Sequence, residues 1–126
     1  MPTPSRPLSP HLQVYRWQIS NSLSILNRLT GVILSVAFLM FCGWLVLAAS
    51  GLKGYQPFAD LLRGPLGAVA LAGISLAFFF HLLNGIRHLF WDVGAGFEKL
   101  RARFTGRLVV AGTLLLSLGL TLWVLA

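Results

Sequence analysis

Three runs free of formal charge, Leu29 to Leu52, Gly64 to Ile86 and Leu108 to Ala126, constrain this chain more than any motif in it. Each is about the ~20 residues that an α-helix needs to cross a ~30 Å hydrocarbon core at ~1.5 Å per residue. Only helices and closed barrels satisfy backbone groups in lipid, and these runs are continuously apolar rather than alternating. The expectation is an all-α membrane protein: one membrane-anchor domain with three transmembrane helices, spans at about 22–50, 65–91 and 105–126, and an interfacial segment over 1–19. At 56% hydrophobic and 10% charged residues, the chain lacks the polar surface of a soluble domain.

The net charge of +7 does not point to nucleic acid, because the basic residues flank the apolar runs instead of forming one stripe with aromatics. Arg6, Arg16 and Arg28 lie before or at the start of the first span; Arg87, Lys99, Arg101, Arg103 and Arg107 cluster between the second and third; Lys53 and Arg63 lie between the first and second. The positive-inside rule then puts the N-terminus and second connection in the cytoplasm and the C-terminus in the periplasm. The opening MPTPSRPLSP has neither the apolar core of a cleavable signal nor the pattern of a mitochondrial presequence, so a bacterial inner (plasma) membrane is the expected location. Cys42, alone and inside the first span, is expected to fill core space.

Pro7 and Pro10 block early helix, while Tyr15 and Trp17 suit the membrane interface. Ser20, Asn21 and Ser22 offer N-caps for the first helix. Gly51 to Gly64 reads as a short outer loop lying at the interface, and residues 92–105 as the inner loop. The third span has no ionisable side chain and reads as scaffold, with Gly112, Ser117 and Gly119 small enough to admit a neighbouring helix and Trp123 as an outer anchor.

Two polar clusters interrupt this chain. On a helix, Ala77, His81, Gly85, His88 and Asp92 form one stripe. Ionisable groups within a span are costly and usually face protein or a cavity. The two histidines are ~10 Å apart along the axis, too far to share one metal ion. A haem with His81 as one axial ligand and a second ligand from another chain fits the stripe, with Ala77 and Gly85 giving clearance and Arg87 and His88 at the propionate end. A histidine that merely hydrogen-bonds a neighbouring helix fits it too. The second cluster, in SILNRLTG, puts Ser24, Asn27 and Arg28 on one helical face at the entrance to the first span. A hydroxyl and a fixed cation one turn apart suit the carbonyl of an interfacial quinone, whose oxygen gains negative charge on reduction. Asp92 is expected at a similar depth, orienting Arg28 or passing protons through water; snorkelling of Arg28 and an ordinary helix-end ion pair are the plainer readings.

These residues carry a resemblance. RPLSPHLQVYRWQISNSLSILNRLTG (6–31) and HLLNGIRHLFWDVG (81–94) resemble the cytochrome b large anchor subunits of succinate dehydrogenase, respiratory complex II. The two motifs cover about a third of the chain, in the right order on the right helices. The resemblance implies that His81 is an axial ligand of haem b, shared with a histidine of the small anchor subunit. It implies a ubiquinone site including Ser24 and Arg28, with Asp92 beside it, and Asn27, Arg28 and His88 near the haem propionates. Partners would be the small anchor, the iron-sulfur subunit, the flavoprotein subunit and membrane lipid, in heterotetramers for which a trimeric assembly is one arrangement. Family members most often carry histidine at position 27, and Asn27 can hydrogen-bond but cannot carry a proton. With no flavin or dicarboxylate site and no cluster-binding cysteines, the chain cannot itself oxidise succinate. Two other classes remain: a haem-free structural or assembly subunit, and a small transporter subunit, which the apolar third span and the lack of an inverted repeat disfavour.

Overall fold

A computed structural model describes residues 16–126. The Pro-rich opening, with Arg6, Pro7, Pro10 and Tyr15, lies outside the described residues. Four helices follow in order: α1 (Ile19–Ala49), α2 (Leu52–Arg63), α3 (Pro65–Asp92) and α4 (Lys99–Leu125). Three of them, α1, α3 and α4, are long and apolar enough to cross a membrane, with mean hydropathies of 2.5, 2.1 and 2.3 over their most apolar windows.

The expected outer loop is itself a helix. Its sequence LKGYQPFADLLR is amphipathic over three turns, and Pro57 sits inside it without stopping it. Gly51, at φ 98°, turns the chain from α1 into α2, and Pro65 at the first turn of α3 suits a helix start because its missing N–H would be unpaired there anyway. The inner loop is shorter than expected. Gly94 and Gly96, at φ 81° and 82°, make the reversal, and α4 is already helical at Lys99. Ser20, Asn21 and Ser22 are not caps: α1 begins after an extended Gln18 with no side-chain cap, and Ser22 Oγ instead accepts a 2.7 Å hydrogen bond from Trp17 Nε1.

The central helix α3 packs on α1, α2 and α4, most extensively on α4. The apolar core is small, Leu23, Phe80 and Val109, and brings α1, α3 and α4 together. The remaining contact is made by small and polar residues, as expected of helices that meet in lipid without a hydrophobic driving force between them. Gly106, Val109, Thr113 and Ser117 form the buried face of α4. A Cβ on Gly106 would stand 2.9 Å from Leu23 Cδ1, and one on Gly112 2.9 Å from Leu83 Cδ1, so both glycines set the distance of approach; Gly119 faces open space. Cys42 is half-buried and free, and Trp123 is exposed. The end of α1, α3 and α4 that holds Arg28, Arg87 and Asp92 also carries Lys99, Arg101, Arg103 and Arg107, while Arg63 lies at the opposite end.

Candidate functional site

His81 projects from the middle of α3 toward α1, where its Nδ1 is 3.1 Å from the backbone oxygen of Asn27 and 3.2 Å from Thr30 Oγ1. A carbonyl can only accept, so in the neutral ring Nδ1 carries the hydrogen and the lone pair is on Nε2. Thr30 is compatible with this assignment. Its hydroxyl donates to the carbonyl of Leu26 at 2.8 Å, as residues of this type do in helices, and its oxygen is left to accept. Gly31 provides the space: a Cβ there would meet His81 Cε1 at 3.3 Å, tighter than an ordinary contact. The ring borders an open cavity of about 510 Å³ formed with Gly31, Leu34, Ser35, Phe38 and Leu39 of α1.

The two small residues expected to flank His81 behave differently. Gly85 meets nothing within 4 Å of an added Cβ and is open. Ala77 is 4% exposed, buried inside the bundle, and lines a second, apolar cavity with Thr30, Phe80 and Thr113. Clearance beside His81 therefore comes from Gly31 and Gly85, not from Ala77.

Asn27 is half-buried and its side-chain Oδ1 is buried without a hydrogen-bond partner. Ser24 is half-buried and Arg28 exposed, one turn apart on α1. His88, half-buried, lies two turns beyond His81 with its ring edge-on to Trp91 at 5.1 Å. Asp92 is exposed at the last residue of α3. Among the described residues Arg28 and Asp92 form no ion pair; the pairs present are Asp60 with Arg63 and Glu98 with Arg101, both exposed.

Arg87 does not join His81. It faces α4, where Nε donates to Thr105 Oγ1 at 3.2 Å and Nη2 to the Ala102 carbonyl at 3.1 Å, with the guanidinium 3.9 Å above the Trp91 ring. Asn84, wholly buried one turn earlier, accepts a long contact from Nη1 at 3.5 Å. Sequence reasoning missed Thr30, Gly31 and Asn84 as site residues. The spacing held a signal for the first two, which sit three and four residues after Asn27 on the face that meets His81; nothing in the spacing marked Asn84.

The residues fit a haem-type ligand on their own chemistry: an imidazole with one nitrogen tied to a carbonyl and the other free, a glycine that lets the ring lie close to α1, and an orphaned polar atom at Asn27. Metal-binding histidines usually donate their second ring N–H in this way, which fixes tautomer and orientation. Among the described residues no cluster of three or more metal-ligating side chains exists.

Comparison with known proteins decides the class. The family described as succinate dehydrogenase/fumarate reductase transmembrane subunit matches residues 2–120. The chain belongs to this family. It is 44% identical over 119 residues to the succinate dehydrogenase cytochrome b556 subunit of Rickettsia felis, covering 94% of this chain and 91% of that one. The cytochrome b556 subunit of Paracoccus denitrificans is 39% identical over 113 residues, covering 90% and 87%. The mitochondrial cytochrome b560 subunit of Sus scrofa is 37% identical over 118 residues, covering 92% and 70%. The three long apolar helices are those of a transmembrane subunit of this succinate dehydrogenase family.

Proposed function

We propose that the chain is the haem b-binding membrane anchor of a bacterial succinate:quinone oxidoreductase, lying in the inner membrane with its N-terminus cytoplasmic and its C-terminus periplasmic. One observation carries the reading: His81 Nδ1 is held by the Asn27 carbonyl, leaving Nε2 free beside an open cavity. The cytochrome b names of the relatives support the same assignment.

His81 would hold the haem iron through Nε2, and a histidine of the small anchor subunit would supply the second ligand. No residue in the most apolar stretch of α1 is fully buried against the rest of the chain, which supports a partner helix on that side. Haem b, when bound, takes up and gives back single electrons. The chain's own residues do the rest. The side chain of Asn27 with Arg28 and His88 would meet the propionate end; Arg87, engaged with α4, is left out of that set. Ser24 would donate to a ubiquinone carbonyl, and Arg28 would stabilise the negative charge that reduction places on its oxygen. Asp92, exposed at the same end, would hold water that delivers protons. Electrons come from succinate through the flavoprotein and iron-sulfur subunits, and quinone leaves as quinol with two electrons and two protons added.

The test is a reduced-minus-oxidised spectrum of the purified complex together with quinone reductase activity. A reducible b-type band in the wild type that disappears with His81→Ala is the expected result. A complex that reduces quinone with no such band would make the chain a haem-free anchor, its His81 serving only as an interhelical hydrogen-bond donor.

A further inference from the structure

Among the described residues Arg87 is the one charged side chain that is buried, at 5% exposure, and the scheme above gives it no task. All its contacts are neutral: Thr105 Oγ1, the Ala102 carbonyl, Asn84 Oδ1 and the Trp91 ring. A guanidinium has five N–H donors, and these contacts use three of them. No carboxylate pairs with it, since the ion pairs among the described residues are Asp60–Arg63 and Glu98–Arg101. A buried cation without a counter-charge is costly, and buried charges are normally paired.

The guanidinium lines a cavity of about 430 Å³ between the end of α3 and the start of α4. Leu83, Ile86, Phe90 and Leu108 make its walls apolar, and Arg101, paired to Glu98 at 3.2 Å, stands at its edge. The missing partner is therefore an anion on an apolar body. A haem held by His81 would present its propionates on another side, because Arg87 is ~120° around α3 from His81 and toward α4. A quinone is neutral. An anionic phospholipid has both parts, and Arg87 stands within two turns of the end of α3, where a spanning helix of that length would meet the phosphate and glycerol. Of the basic residues on the first turns of α4, Arg101 borders the cavity, so that Arg87 and Arg101 against Glu98 leave the site net positive, which favours an anionic head over choline or ethanolamine.

We propose that the α3–α4 cavity is a specific site for an anionic phospholipid, its phosphate on Arg87 and an acyl chain along Leu83, Ile86, Phe90 and Leu108. The site rests on the family's membrane placement and is independent of the haem and quinone assignments.

The test is native mass spectrometry of the intact complex, delipidated by detergent exchange and titrated with phosphatidylglycerol or phosphatidylcholine. Wild type should bind one more phosphatidylglycerol than an Ile86→Trp complex, whose bulk fills the cavity without touching the hydrogen bonds of Arg87. The preference over phosphatidylcholine should be about fivefold, one surface cation's worth, and Arg87→Gln should erase it. If Arg87→Gln does not assemble, Ile86→Trp decides. Equal phosphatidylglycerol binding by wild type and Ile86→Trp overturns the proposal, as does equal binding of the two lipids by wild type. It also falls if Ile86→Trp displaces bound ubiquinone instead of lipid, or if a cross-linker on Ile86→Cys captures a neighbouring subunit in a lipid-free cavity.

Discussion

Two faces of α3 carry polar groups into a helix that otherwise reads as lipid-soluble, and they are built in opposite ways. The face toward α1 holds His81 by one ring nitrogen and leaves the other free beside a cavity. The face toward α4 engages Arg87 at three of its nitrogens and buries Asn84 completely beside it. The difference separates a group kept available from a group used to fasten helices. In a membrane, where apolar packing draws helices together only weakly, the second use is as necessary as the first.

His81→Ala separates the two faces most strongly. The b-type absorbance should be lost entirely, while circular dichroism and the amount of assembled membrane subunit stay near wild type, since the side chain is only half-buried and its hydrogen bonds fasten little else. A retained bis-histidine spectrum would mean that the free nitrogen has no ligand role. Arg28→Ala, at the entrance to the same face, should lower quinone reduction by about a hundredfold, the usual loss of one charge-stabilising donor. Succinate oxidation with a dye that accepts electrons upstream should be unchanged; equal losses in both assays would point to failed assembly.

Arg87→Met probes the other face. Losing the guanidinium leaves the buried Asn84 and the half-buried Thr105 oxygens without that donor, and the complex should lose about 1–3 kcal/mol of stability, read as a lower midpoint for thermal dissociation. The haem band should not move. A spectral shift as large as that from a change at Asn27 would place Arg87 at the haem after all and merge the two faces into one.

How far the sequence carried depended on what kind of partner each residue has. The three apolar runs were legible because hydropathy reports lipid directly. It does not report helix, so α4 was expected to begin at about residue 105; Lys99 to Phe104 are helical ahead of that bound because Leu, Arg, Ala and Lys favour helix wherever they stand. Helix α2 was hidden by Pro57 and a polar composition that reads equally as loop. Spacing grouped His81, Gly85 and His88 on one face, but it cannot say which neighbour that face meets, so Arg87 was assigned to the histidine's side although its partners Thr105 and Ala102 come from α4. The sequence allows two readings of His81, haem ligand and interhelical hydrogen bond. In the structure each ring nitrogen can answer to one of them, and the partner of Nδ1 is a backbone carbonyl, which leaves no mark in a sequence.

The doubly held Nδ1 can be perturbed more gently. Thr30→Val keeps shape and removes the oxygen that stands 3.2 Å from Nδ1, while the Asn27 carbonyl remains at 3.1 Å. The tautomer should therefore survive and the haem should stay bound. What changes is the electron density that the hydrogen bond pushes through the ring to Nε2: with one acceptor fewer, His81 becomes a weaker donor to iron, ferric haem loses more than ferrous, and the midpoint potential should rise. Stability should fall by no more than about 1 kcal/mol, one neutral hydrogen bond. Thr30→Ser restores the oxygen without the methyl and should return the potential to wild type even if packing suffers. A potential that follows the methyl rather than the hydroxyl would make Thr30 a packing residue and leave the Asn27 carbonyl as the only group that orients His81.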